Sequence, residues 1–194
     1  MIVNKLAVGA DFFCNGKKME RVMFDTNVLS FIYNPDMDSS SRNSERHKRY
    51  SDLFDFFLRE EIEIFIPEIV LLEYINISLK EKKKRDDRDR GVVYKGKIHT
   101  HPRYKEWYKE VLCDIEDIIE AMNIVYSSSN PNDFLSFLED NLGERIDVND
   151  LTISILSIEK DIPLVTDDGD FSSQSDKVNI ISFNERINSS KKKH

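Results

Sequence analysis

Apolar residues along this chain follow two rhythms: short runs that are unbroken or alternate with polar residues, and longer stripes at three- and four-residue spacing. The two rhythms take turns. Val22-Met23-Phe24 is an apolar run ending at Asp25, which predicts a short buried strand. Asp25, Thr26 and Asn27 are all good helix N-cap types, and Val28, Leu29 and Ile32 then recur at helical spacing. Beyond a polar loop from Asn34 to Asn43, the residues Tyr50, Leu53, Phe54, Phe57 and Leu58 form the apolar stripe of a second helix. Ile62, Ile64 and Ile66 alternate with Glu61, Glu63 and Phe65 up to Pro67, predicting a strand followed by proline in the first turn of a helix. That helix carries Ile69, Val70, Leu72, Ile75, Ile77 and Leu79, and is expected to dissolve into the charged run KEKKKRDDRDRG.

The alternation continues to the end. Tyr108, Val111, Leu112, Ile115, Ile118, Ile119 and Met122 predict an amphipathic helix, and Ile124-Val125-Tyr126 a short strand. Phe134, Leu135, Phe137, Leu138 and Leu142 suggest a helix closed by Gly143. Another helix, with Ile153, Ile155, Leu156 and Ile158, starts between Asp147 and Asp150. Pro163 to Thr166 is a strand running into an Asp-Gly turn, and Lys177 to Phe183 the last strand. Apolar strands alternating with amphipathic helices point to a parallel α/β sheet covered on both faces. In such sheets the working site lies outside the carboxyl ends of the strands, where Asp25 and Asp168 fall. One domain is expected over 21–188, with an N-terminal extension at 1–20, a charged insertion at about 80–110 and a basic tail at 189–194. The extension shows no clear period and reads as an added strand or a frayed end.

Composition narrows the class. Of 194 residues, 40% are hydrophobic and 33% charged, with 12 Phe and 7 Tyr, as in a folded globular chain rather than a disordered one. No run approaches the ~18 apolar residues of a membrane span. The opening residues, broken by Asp11 and Asn15, lack a signal-peptide core, so a cytoplasmic location is expected. Cys14 and Cys113 have no paired spacing and read as reduced thiols. His99 and His101 lie in a polar stretch without nearby cysteine and read as surface residues. The net charge of −8 is unevenly spread: residues 80–110 hold 12 Lys/Arg against 6 Asp/Glu, leaving 16 against 30 elsewhere. Such asymmetry predicts either an electropositive flap on an acidic body or a solvated insertion.

Five acids stand in or beside apolar stretches: Asp25, Glu73, Asp150, Asp168 and Asp170. Singly, each has a bland explanation. Asp25 and Asp150 suit helix N-caps, Asp168-Gly169 suits a turn, Asp170 a turn anchored by Phe171, and Glu73 a narrow polar face. Together they are more specific. Two carboxylates ~4 Å apart repel by roughly 4 kcal/mol at an effective dielectric near 20. A cluster of four must raise its pKa values or capture Mg²⁺ or Mn²⁺, cations that prefer oxygen ligands. No Lys or Arg accompanies these motifs to act as counter-ion.

Asp25-Thr26-Asn27 after the first strand, Glu73 on the helix after the second, Asp150 before Leu-Thr-Ile-Ser-Ile-Leu, and the ending Thr166-Asp167-Asp168-Gly169-Asp170-Phe171 resemble the PIN-domain family over residues 21–183. The resemblance implies a three-layer α/β/α sandwich on a five-stranded, mostly parallel sheet. It also implies a ribonuclease dependent on one or two Mg²⁺ or Mn²⁺ ions, often the toxin of a toxin–antitoxin module. Asp25, Glu73, Asp150 and Asp168 would be the metal-binding acids, with Asp170 a fifth and Thr26, Asn27 and Thr166 beside the metals. RNA is then the expected substrate, with an antitoxin protein and a second copy of the chain as further partners. Lys82, Lys83, Lys84, Arg85, Arg88 and Arg90 are expected to grip phosphates. Tyr94, Tyr104, Trp107 and Tyr108 are candidates for stacking on bases or packing the core. The chain is longer than a minimal toxin of this kind, and its acidic bulk is unusual for an RNA binder.

Two other readings carry distinct expectations. A phosphatase of the haloacid dehalogenase type needs a second Asp two residues after the first, where Asn27 stands. A catalytically inactive PIN-like module would bind RNA or protein without taking up metal.

Overall fold

The computed structural model describes residues 13–14, 17–34, 41–126, 147–174 and 176–190. In chain order the elements are β1 (Phe13–Cys14), β2 (Lys17–Lys18), β3 (Arg21–Phe24), α1 (Thr26–Tyr33), α2 (Ser41–Arg59), β4 (Glu63–Pro67) and α3 (Glu68–Arg90). They continue with α4 (Tyr104–Ala121), β5 (Asn123–Val125), α5 (Val148–Lys160), β6 (Leu164–Val165), β7 (Ile180–Ile181) and α6 (Glu185–Ser190). Short 3₁₀ turns lie at Ile98–Thr100 and Gly169–Gln174. The extension contributes a small antiparallel ladder of β1 on β2.

The remaining five strands form one sheet in the order β5-β4-β3-β6-β7, with all four pairings parallel. This is the expected α/β sandwich. Val22, Met23 and Phe24 on the central strand are wholly buried, as parallel strands covered on both faces must be. From β3 the chain winds outward through β4 to β5, then crosses to β6 and β7 on the other side. The winding therefore reverses between β3 and β6, which opens a crevice at their carboxyl ends. Asp25 follows one of these strands and Asp168 lies just past the other.

Several helices differ from their predicted stripes. Helix α2 begins at Ser41, inside the expected polar loop. Its buried line runs through Tyr50, Leu53 and Phe57, and Leu58 is 48% exposed. On α3 the buried line is Val70, Leu71 and Tyr74, so Leu72 faces out. On α4 it is Trp107, Val111, Ile115 and Ile118, leaving Tyr108, Leu112 and Ile119 exposed. An apolar stripe is wider than the face a neighbouring element covers, and packing selects which part is buried. The predicted helix around Phe134–Leu142 and the tail at 191–194 lie outside the described residues.

The largest departure is α3, which does not dissolve at the charged run but stays helical to Arg90. Ion pairs within the helix hold it: Lys83 with Asp87, Lys84 with Glu81, and Arg90 Nε with Asp86 at 3.0 Å. Lys82 crosses to Glu110 of α4 at 2.5 Å. Asp86, only 5% exposed, also meets Arg103 at 2.8 Å and His101 Nε2 at 3.4 Å. His101 is buried as well, stacked on Trp107 at 4.4 Å, which corrects its reading as a surface residue. The helix ends at Gly91 with φ +66°, whose N–H donates to Arg88 while Val92 N–H donates to Asp87.

Candidate active site

Asp25 is 2% exposed at the mouth of the crevice. It is both the cap of α1 and the centre of the acidic group. Its Oδ1 accepts from Thr26 N–H at 2.7 Å, while its Oδ2 accepts from Thr166 Oγ1 at 2.7 Å and from Asn27 Nδ2 at 3.4 Å. Asn27 Nδ2 also reaches Asp168 Oδ2 at 3.3 Å, bridging the ends of β3 and β6. Thr26 Oγ1 donates to Glu73 Oε2 at 2.8 Å, which brings the α3 carboxylate to the same place from 47 residues away. The three polar residues assigned by resemblance, Thr26, Asn27 and Thr166, thus each bond directly to an acid.

Asp168 is positioned by its own turn. Its N–H donates to Thr166 Oγ1 at 3.0 Å, and its Oδ1 accepts from Asp170 N–H at 2.9 Å. Asp170 contributes that main-chain bond, and its carboxyl faces solvent. Asp150 is not the cap of α5. Asp147 takes that role by accepting from Asn149 N–H at 2.8 Å, which leaves the Asp150 carboxyl, three residues on, to face the other acids.

The electrostatics bind these four into one group. Burial, then the charges of Asp168 and Glu73, push Asp25 up to about 6 against the hydrogen bonds from Thr166 and Thr26. Burial, then the charges of Asp25, Asp168, Asp147 and Glu73, push Asp150 up to about 8. Asp25, Glu73, Asp150 and Asp168 therefore lie together at the crevice. Such a group favours a proton or a cation. Its all-oxygen donor set suits a hard divalent ion, although among the described residues no trio is drawn tightly enough to form a ready ion site.

Other predicted site residues lie elsewhere. Lys82, Lys83, Lys84, Arg85, Arg88 and Arg90 sit nine or more residues beyond Glu73 on the same helix, roughly 14–26 Å along its axis at ~1.5 Å per residue. Trp107 packs on His101, and Tyr94 donates from its hydroxyl to Thr100 O at 2.8 Å. Asp167, which no motif singles out, turns inward and is 6% exposed. It meets Arg46 Nη1 at 3.1 Å and Tyr50 Oη at 3.0 Å. The one available signal was the Asp167-Asp168 doublet after a strand, where consecutive side chains take opposite sides.

No family model matches the chain, and no curated protein does. Its likenesses are structural. A chain of the VapBC2 crystal structure from Rickettsia felis, bound to a DNA fragment from their promoter, superposes with a TM-score of 0.53 at 21% identity, covering 84% of this chain and 98% of that one. The chain has the PIN-domain fold. PAE2754 from Pyrobaculum aerophilum is also similar, with a TM-score of 0.48 at 11% identity over 90% of this chain and 91% of that one. Within this PIN fold, the four acids lie at the carboxyl edge of β3 and β6 and at the near ends of α3 and α5. Among the described residues no helix is long and apolar enough to cross a membrane.

Proposed function

We propose that the protein is an endoribonuclease that hydrolyses RNA phosphodiester bonds with one or two Mg²⁺ or Mn²⁺ ions held by Asp25, Glu73, Asp150 and Asp168. The observation that carries this reading is the convergence of four carboxylates from β3, α3, α5 and the turn after β6, two of them with raised pKa values. When bound, the cation lowers the pKa of a water and offsets charge on the scissile phosphate and leaving oxygen. The chain's part is placement. Thr166 and the Thr26 N–H lock Asp25 in one rotamer, Thr26 Oγ1 aims Glu73, and Asn27 spaces Asp25 from Asp168. Asp150, which has ceded the cap to Asp147, keeps its oxygens for the attacking water or the ion.

By analogy with its structural neighbour, the proposal extends to a role as the toxin of a toxin–antitoxin pair in the cytoplasm, restrained by a protein that covers the crevice. The test is cleavage of a labelled RNA with Mn²⁺, with Mg²⁺ and with chelator, beside Asp25→Asn. Cleavage that needs the metal and Asp25 supports the reading; activity indifferent to both ends it. The open spacing of the acids favours one rival, a binding module of the same fold without catalysis. Calorimetric titration with Mn²⁺ separates the two, because the rival takes up no ion.

A further inference from the structure

Beside the acidic crevice lies a second feature that the functional reading leaves unused. A cleft of about 550 Å³ is lined by Arg46, Arg49, Phe183, Arg186 and two glutamates, Glu45 and Glu185. We infer that this cleft holds the RNA strand next to the scissile bond, its guanidinium groups taking a backbone phosphate. The inference rests on the ribonuclease reading above.

The cleft shares a wall with the active site. Arg46 bonds Asp167 Oδ2 at 3.1 Å, and Asn184 Nδ2 donates to Asp167 O at 2.5 Å. The side chain of Arg186 passes over Gly169, where a Cβ would meet its Cδ at 3.0 Å. Residues 167–169 are thus a thin partition: Asp168 faces the acids on one side, and the arginines stand on the other. A glycine at 169 is what lets Arg186 lie so close to the turn.

Charge explains why such a cleft is needed. Four carboxylates repel an approaching polyanion, so a strand must be held by cations nearby before it can settle over them. The basic run on α3 does not provide this. It lies well away from the acids, nine or more residues beyond Glu73 along the helix. In the cleft, Arg46, Arg49 and Arg186 stand among three carboxylates, with Arg46 paired to Asp167, Arg49 to Glu45, and Glu185 on the rim. Arg49 sits over the Phe183 ring at 5.8 Å, a cation–π seat that fixes its planar fork. Its partner Glu45 is an exposed i,i+4 neighbour, a weak pair that a phosphate displaces at little cost. A guanidinium fork matches two phosphate oxygens, which a lysine does not.

The test is fluorescence anisotropy of a short labelled single-stranded RNA bound to the full chain in chelator, where no cleavage occurs. Arg46 is left in place because it also holds Asp167. The double variant Arg49→Ala/Arg186→Ala is expected to lose at least ~10-fold in affinity, and its salt dependence to flatten by roughly 0.7 per phosphate contact removed. Arg49→Lys is expected to recover only part of the affinity. Lys82→Ala/Lys84→Ala serves as the control and is expected to bind as the unaltered chain does. Thermal melts confirm that each variant folds. Equal RNA affinity and an equal salt slope in the arginine double variant overturn the inference, even if that variant loses an acidic protein partner. Binding that depends on the arginines, in a protein that cleaves nothing with metal, upholds the cleft while rejecting the nuclease reading.

Discussion

Replacing Asp150 by Asn should make the metal-free protein more stable while weakening its hold on divalent ions. The carboxyl is pushed from an ordinary 3.8 to about 8 by burial and by four facing acids. At ~1.36 kcal/mol per tenfold, that displacement corresponds to about 5–6 kcal/mol of opposition to the charged form. Asp150 is half-buried, and water reaching it screens much of this, leaving about 2 kcal/mol. The helix N-terminus favours an acid by ~0.3–1 kcal/mol, so the expected net gain on removing the charge is about 1–2 kcal/mol. The sign with pH follows from proton counting. Between 3.8 and about 8 the folded state holds more protons at this site than the unfolded chain. Its stability therefore falls as pH rises through that window and levels off above it. Urea denaturation in chelator at both ends of the window measures the effect. Asp150→Asn should match the unaltered protein at the acid end, exceed it at the alkaline end and show a flatter profile. With Mn²⁺ at ~100 times its Kd the unaltered protein should gain ~2.7 kcal/mol, and the variant markedly less. A variant less stable than the unaltered chain at the alkaline end in chelator would show that the acids do not oppose one another.

Thr26→Val keeps the shape of the residue but removes the hydroxyl that aims Glu73. Mn²⁺ affinity measured by calorimetry should fall ~10–100-fold, as when other outer-shell partners of metal ligands are lost. Asp86→Ala should lower the urea midpoint, because it removes the buried carboxylate that Arg90, Arg103 and His101 all meet. Tyr50→Phe should cost about 1–2 kcal/mol, since the hydroxyl donates to Asp167 and accepts from Phe183 N–H inside the core. Its RNA affinity in chelator should hold if Arg49 and Arg186 make the contacts proposed for them.

What the sequence determined by itself is local. Val22–Phe24 read as a strand and Val28, Leu29 and Ile32 as a helix face because side-chain periods of two and 3.6 are properties of a few adjacent residues. The same locality placed Asp25 and Asp168 at strand ends, where the fold brings Glu73 and Asp150 to them. Only the tertiary structure decided which acid does what. Asp147 and Asp150 are equally good caps by type, and the choice between them depended on where the chain enters α5. Asp167 and Asp168 are chemically identical, and their opposite fates follow from which side of the turn meets Tyr50 and Arg46 and which meets Asn27. The charged half of α3 is helical because its own i,i+3 and i,i+4 ion pairs are joined by Glu110 and Arg103, which reach Lys82 and Asp86 from beyond the helix. Arg46, Arg49 and Arg186 become neighbours across some 140 residues only because α2 and α6 both pack beside the turn after β6. Sheet order brings such groups together, and it is set by the burial of the whole chain rather than by any one segment.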